Sequence, residues 1–338
     1  MQNKLTIAEV AKKAGVSPAT ISRVLNDRPG VGPELREKIA NFINEIDYKP
    51  NTLARSFTVG SINIIALILG DMRNPFYADL TFHMQKTLNE AGYMIMTFNS
   101  EYNVEKEIEF IELSCQFNFA GLVLITAQSE ELQSTLSQVE MPVILVNRTL
   151  PDYAGDMVCM DNFQAGYLAT KHLIELGHQS VAFITGHDTS SAGKQRFEGY
   201  QQVLLNYNLA FDPNNVFKGD LTLESGYEIA SQYCDRIQEL PSAIVATNDL
   251  MAIGFISRIK ELGVDVPHRV SVVGVDNIFL SKLPDINLTT IDQQSQQMAE
   301  HAASLMLRRI EEPEAAPKRI IIDPKLIIRG TTAPYMPD

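Results

Sequence analysis

The sequence has few cysteines, no long apolar run and none of the short motifs that mark common nucleotide or hydrolase chemistry. Cys115, Cys159 and Cys234 stand far apart, without C-x-x-C spacing. An odd, scattered set suits neither a disulfide framework nor a zinc site. No apolar stretch nears the ~20 residues of a membrane-spanning helix. No basic start followed by an apolar segment reads as an export signal. A cytoplasmic chain without membrane contact is therefore expected. G-x-G-x-x-G after a strand, G-x-x-x-x-G-K-[ST] and G-x-S-x-G are all missing, which removes the usual signs of dinucleotide, P-loop and α/β-hydrolase chemistry. His83, His172, His178, His187, His268 and His301 show no metal spacing and no serine or cysteine partner pattern. No enzyme activity, cofactor or metal is expected. A nucleoside or sugar-phosphate enzyme lacking these motifs stays open at this point, but it would leave residues 1–60 without a use.

What is present is a globular composition. The chain has 338 residues, 45% hydrophobic and 20% charged, enough for two or three units with substantial cores. The net charge of -13 argues against a partner of DNA when taken over the whole chain, but it is unevenly spread. Residues 1–60 hold nine Lys/Arg against six Asp/Glu, leaving +3, so the remainder carries -16. A small basic head on an acidic body fits a chain that touches phosphates with one end only.

The head reads as three short helices. Thr6-Ile7-Ala8-Glu9 has the form of a capping box, and Ile7, Val10, Ala11 and Ala14 share a helical face. Gly15 supplies a turn, Ser17 caps a second helix and Pro18 suits its first turn. Ile21, Val24 and Leu25 face inward there. Leu35, Ile39, Phe42, Ile43 and Ile46 do so in a third helix from about residue 33 to 46. This is the helix-turn-helix pattern. Its outer face carries Pro18, Ala19, Thr20, Ser22, Arg23 and Asn26. Small residues allow close approach to a groove, Thr20 and Ser22 suit phosphates, and Arg23 can give two hydrogen bonds to guanine. Alone, Arg23 would read as a solvated surface residue; its helix favours the groove.

The run Thr6-Ile7-x-Glu9-Val10-Ala11-x-x-Ala14-Gly15-Val16-Ser17-x-x-Thr20-Ile21-Ser22-Arg23-Val24-Leu25-Asn26 resembles the N-terminal signature of the lactose/galactose repressor (LacI/GalR) family. Asp47-Tyr48-x-Pro50-Asn51-x-Leu53-Ala54-Arg55-Ser56 resembles that family's hinge. The resemblance implies a DNA-binding transcriptional regulator, most often a repressor, that sits as a homodimer on a palindromic operator. Thr6, Asn51, Ala54 and Arg55 join the DNA-contact set. Phe57 stands at the position of a leucine that wedges into the minor groove, and phenylalanine is also a wedge residue. Gly32 departs from the usual serine cap. The implied domains are a helix-turn-helix domain over 1–47, a hinge over 48–60 and an effector and dimerisation domain over 61–338. A global regulator governed by a phosphoprotein partner is the alternative within the same family.

From residue 62 onward, apolar strand-like runs (64–69, 94–98, 121–125, 143–146, 181–184, 243–246, 270–275) alternate with amphipathic stretches (76–91, 163–176, 196–205, 225–237, 251–262). Near-continuously apolar strands between helices imply parallel sheets covered on both faces. About twelve strands imply two lobes. The expected fold is an all-α helix-turn-helix head plus an α/β body of two doubly wound parallel-sheet lobes of periplasmic-binding-protein type. The resemblance implies crossings near Asn162, Gln293 and Pro324. The N-lobe then takes about 61–162 and 293–324, and the C-lobe about 163–292 and 325–338. Residues 311–318 read as a surface loop.

Ligands of open α/β sheets sit beyond the C-terminal strand ends. Polar and aromatic residues there are Asp71, Asn74, Phe76, Tyr77, Asn147, Arg148, Phe163, Arg196, Asn248, Asp276 and Gln293. Amides and carboxylates bind hydroxyl pairs, arginines donate to oxygens, and aromatic faces cover sugar C–H faces. The set suits a polyol, so a small effector, a sugar or sugar derivative, is expected. Asn74, Phe76, Tyr77, Arg148, Arg196, Asn248, Asp276 and Gln293 match positions that bind sugars in the family and in related periplasmic proteins. Asn147 replaces an aspartate of some pentose binders. Leu221 stands where relatives often carry a stacking aromatic. Taken singly, Asn74-Pro75 could be only a turn and Asn248-Asp249 only a helix cap.

Overall fold

The computed structural model describes residues 5–25, 29–46, 48, 62–127 and 131–336. The chain divides into two compact units, one through Ile62 and one from Asn63 onward. The first holds α1 (Ile7–Ala14), α2 (Pro18–Leu25) and α3 (Pro33–Glu45). The capping box forms: Thr6 Oγ1 accepts the Glu9 amide at 3.3 Å, and the Glu9 carboxylate accepts the Thr6 amide at 2.7 Å. Gly15 closes α1 at φ 70, in the left-handed region open to glycine. Ser17 Oγ accepts the Thr20 amide at 3.1 Å and so starts α2. Val10, Ala11, Ile21, Ile39 and Ile43 form the core. Ile7 and Leu35, expected inward, are 37% and 41% exposed. Both lie in the first turn of a helix, past the end of a core this small.

The second unit contains two six-stranded sheets. β1 (Ile62–Leu69), β2 (Met94–Asn99), β3 (Phe119–Leu124), β4 (Val143–Val146), β5 (Asp156–Met160) and β11 (Arg319–Ile322) run in the order β11-β5-β4-β3-β1-β2. β6 (Val181–Thr185), β7 (Val216–Lys218), β8 (Ala243–Ala246), β9 (Ser271–Asp276), β10 (Thr289–Asp292) and β12 (Lys325–Ile327) run β12-β10-β9-β8-β6-β7. The two orders are the same arrangement used twice: a 2-1-3-4-5 doubly wound sheet extended by one strand from near the C-terminus. β12 is an edge strand and pairs with β10 antiparallel, while the body of each sheet is parallel, as expected. An edge strand entering from the other lobe is not bound to the βαβ direction.

The central strands β3, β4, β6 and β8 are apolar almost throughout, as suits strands with helices on both faces. Those helices are α4 (Pro75–Glu90), α5 (Val104–Gln116), α6 (Glu131–Leu136), α7 (Asn162–Glu175), α8 (Ser191–Asn206), α9 (Leu223–Ser231), α10 (Asp249–Glu261) and α11 (Ser295–Glu311). α11 packs on α4 and over β3, β4 and β5, while α7 pairs with α8 and α9 with α10. Glycine makes both pairs close. A Cβ on Gly166 would lie 1.9 Å from the Arg196 carbonyl oxygen, and one on Gly254 would lie 1.9 Å from that of Leu223. Among the described residues no helix is long and apolar enough to cross a membrane, and no cluster of three or more potential metal ligands occurs.

Candidate functional site

The C-terminal ends of the strands in the two lobes meet around a cavity of about 30 Å³. That is room for a water or two in this arrangement of the lobes. From the first sheet come Asn74, Phe76 and Tyr77 after β1, and Asn147 and Arg148 after β4. The second contributes Gly186, Ser190, Ala192, Gly193 and Arg196 after β6, and Leu221 after β7. Thr247 and Asn248 follow β8, and Asp276 ends β9. Gln293 closes the wall where the chain leaves β10. In both sheets the reversal of strand order falls between the first and third strands, where such folds hold ligands.

Local rules place each group. Asn74 caps α4, its Oδ1 accepting the Phe76 amide at 3.0 Å, and so turns Phe76 and Tyr77 into the cavity wall. Asn248 caps α10 by accepting the Met251 amide at 3.0 Å, and its Nδ2 donates to the Leu221 carbonyl at 2.8 Å. Arg196, in the second turn of α8, donates from Nε to Asn162 Oδ1 at 2.9 Å and from Nη1 to the Thr247 carbonyl at 2.6 Å. The Gly166 contact brings its backbone close enough for that reach. Asp276 accepts from the Gln293 amide.

Backbone strain gathers here. Asn147 has φ 66, Leu221 φ 72 and Asp276 φ 132. A leucine in this region is uncommon and costs of order 1–3 kcal/mol, which the surrounding fold must hold in place. Polar groups without partners gather here as well. Asn147 Oδ1, Arg148 Nε, His187 Nε2, Thr247 Oγ1 and Gln293 Oε1 are buried and have no hydrogen-bond partner within the protein. Four belong to residues that line the cavity, and His187 follows the lining residue Gly186 in the chain. Each such group costs about 1–3 kcal/mol if left unsatisfied.

Arg148 is 3% exposed. Its Nη1 donates to the Thr126 carbonyl at 3.0 Å, and its guanidinium lies 5.6 Å from the centre of the Tyr102 ring. Tyr102 in turn packs on His187 at 4.6 Å between ring centres, a contact between the lobes. The Thr149 amide donates to Ser191 Oγ at 3.0 Å, again lobe to lobe. Burial pushes Asp276 and Asp249 above the ordinary carboxylate range, with each other's charge adding to the effect on Asp276 and Arg196 opposing it. His187 is held below the usual histidine range by burial and then by the Arg148 cation.

Ten of the twelve expected effector residues line this cavity. Asp71 does not: its carboxylate is taken by Arg73, with Nη2 to Oδ2 at 2.8 Å. Phe163 does not either. It is exposed on the outer side of α7, stacked on Tyr167 at 6.4 Å, because helical phase turns the residue after Asn162 away from the cleft. Tyr102, His187, Ser190, Ala192, Gly193, Gly186 and Thr247 were missed by sequence reasoning. Thr247 and Gly186 had a signal, since each directly follows an apolar strand.

In the head, Thr6, Ser17, Pro18, Ala19 and Arg23 are exposed, and Thr20 and Ser22 are half-buried. Ser17 Oγ lies 2.8 Å from Thr20 Oγ1, and the Arg23 guanidinium lies along Gly30. Asn26, Asn51, Ala54, Arg55 and Phe57, and the hinge assigned to 48–60 apart from Tyr48, lie outside the described residues.

Known proteins share this arrangement. A family model for bacterial regulatory proteins of the lacI family matches residues 6–51, and one for a periplasmic binding protein-like domain matches residues 170–332. The HTH-type transcriptional regulator DegA of Bacillus subtilis (strain 168) is 31% identical over 335 residues, covering 98% of this chain and 99% of that protein. The HTH-type transcriptional repressor PurR of Pasteurella multocida (strain Pm70) is 31% identical over 326 residues, covering 96% and 97%. The transcriptional regulator CelR in complex with cellobiose is 27% identical with a TM-score of 0.73, over 97% of this chain and 99% of that one. The lac repressor dimer bound to operator and an anti-inducer shares the fold, with a TM-score of 0.85 at 22% identity over 98% and 100%. Fold and relatives together define a DNA-binding regulator with a helix-turn-helix head and a periplasmic-binding-protein-like body. The chain belongs to the LacI family of bacterial transcriptional regulators.

Proposed function

We propose that the chain is a repressor that binds a palindromic operator as a homodimer and releases or grips it according to a polyol effector in the inter-lobe cleft. The observation that carries the effector is the set of buried atoms without partners. Asn147 Oδ1 and Gln293 Oε1 only accept, Arg148 Nε only donates and Thr247 Oγ1 does either. A ligand rich in hydroxyls supplies both roles from each oxygen, which few other small molecules do. Asn74, Phe76, Tyr77, Arg196, Leu221, Asn248 and Asp276 complete the wall. CelR, at 27% identity, is known in complex with cellobiose, which agrees with a carbohydrate here.

At the other end, Arg23 reads a base, Ser17, Pro18, Ala19 and Asn26 lie at the major groove, Thr20 and Ser22 hold phosphates, and Thr6 and Asn51 belong to the same DNA-contact set. Residues 48–60 act as a hinge, Ala54 and Arg55 enter the minor groove and Phe57 wedges its floor. Closure of the lobes on ligand biases this hinge, and a differential affinity of ~1–3 kcal/mol is sufficient. Calorimetric titration of the full chain with a panel of sugars and sugar derivatives tests the effector half. One class should bind, and Arg196→Ala should weaken it by ~2–4 kcal/mol, the usual cost of removing a buried charged donor. Unaltered binding to Arg196→Ala would place the ligand elsewhere.

A further inference from the structure

The charges around the cavity do not balance, and the imbalance sits on one residue. Arg196 faces Asp276, and Asp249 behind it faces Arg196 and Arg329. Asp71 is tied to Arg73 outside the cavity. Glu107 is buried under Thr126, whose hydroxyl donates to it. Arg148 differs. Among the described residues neither Arg196 nor Arg148 forms an ion pair, but Arg196 lies in the field of Asp276 and Asp249, whereas no carboxylate hydrogen-bonds Arg148. It donates to one backbone carbonyl and lies over the face of Tyr102, and its Nε is without a partner. Beside it His187 presents a buried Nε2, also without a partner. A buried cation without a counter-charge is costly, and an aromatic face compensates it only in part. Folding leaves Arg148, a residue of the cavity wall, without a carboxylate partner.

We infer that the effector is an anionic polyol, one that carries a single carboxylate or phosphate group which seats against the Nε edge of Arg148 beside His187. The inference rests on the polyol reading and narrows it. Hydroxyls meet Asn147, Thr247, Asn248 and Gln293, and the anion supplies the charge that Arg148 lacks. An arginine edge binds carboxylate and phosphate oxygens alike, so the geometry names the charge and leaves its carrier to experiment.

The test pairs ligands that differ only in charge. Glucuronate and galacturonate are titrated into the full chain by calorimetry beside glucuronamide and galacturonamide, gluconate beside glucitol, and glucose 6-phosphate beside glucose. Acetate, succinate and inorganic phosphate serve as anions without hydroxyl chains. At least one anionic polyol should bind about 30-fold or more tighter than its neutral partner, the scale of a buried charge pair. Arg148→Gln should remove most of that ratio, and His187→Asn, if Arg148→Gln does not fold, should reduce it. Equal or tighter binding of the neutral partners overturns the anion and leaves the polyol reading standing. Succinate or phosphate binding as tightly as any polyol acid overturns the polyol reading and leaves the anion site standing. No binding in any class overturns both.

Discussion

Thr247 is 1% exposed, and its hydroxyl has no partner. If the cleft keeps this group for a ligand, the unliganded protein bears its cost. Thr247→Val should then raise unliganded stability by ~1 kcal/mol in urea denaturation and weaken the effector at least several-fold. Loss of stability together with unchanged binding would make Thr247 an ordinary core residue. A second residue-scale prediction concerns pH. His178 is buried between Ser242 Oγ at 3.1 Å and the Ala333 carbonyl at 3.2 Å. Burial holds it below the usual histidine range, as it does His172. As pH falls below ~6.5 the unfolded chain takes up these protons first, so stability present above that value is lost toward lower pH. Asp249 and Asp276, raised by burial, act in the opposite sense. The comparison is therefore wild type against His178→Gln. Melting temperatures from pH 7 to 5 should fall more steeply for wild type, and parallel curves would remove His178 from the account. Residues at this scale were legible where chemistry and strand-end position coincided, as for Arg148 and Asp276. Positive φ at Asn147, Leu221 and Asp276 leaves no periodic trace. Tyr102 and His187 come from loops whose meeting depends on how the lobes close.

Elements carry a different kind of constraint. α7 and α8 touch backbone to backbone through Gly166, and a Cβ there has nowhere to go but into the Arg196 carbonyl. Gly166→Ala should cost ~1–3 kcal/mol of stability, as overpacking does. It should also weaken the effector, because the turn it displaces carries Arg196. A variant with full affinity would show that Arg196 adjusts on its own. Strands and helices of the body were legible because buried parallel strands are apolar throughout and their helices keep a 3.6-residue period. Direction was not: Lys325–Ile327 carries no mark of its antiparallel pairing. The helix expected over 225–237 is α9 at Leu223–Ser231. Thr222 caps it by accepting the Ser225 amide at 3.1 Å, and such a cap sets a helix start more firmly than hydrophobic phase does.

For the whole molecule, the division of labour between head and body predicts separable defects. Arg23→Ala should lose ~1–3 kcal/mol of discrimination between operator and random DNA by fluorescence anisotropy, with effector binding intact. Equal discrimination by the variant would take base reading away from Arg23. The body is not separable in the same way. The chain passes from the first sheet to the second after β5, returns for β11 and leaves again for β12. Neither lobe is a continuous stretch of sequence. This threading bears on synthesis. When Met160 at the end of β5 has been made, the first sheet still lacks α11, which covers β3, β4 and β5, and its edge strand β11. Ile322 follows 162 residues later, roughly 10–30 s at ribosomal speeds. Throughout that interval a nascent apolar sheet face waits for its cover, so the growing chain is a natural client for chaperones that hold such faces apart, and its yield in the cell should depend on them more than its final stability suggests.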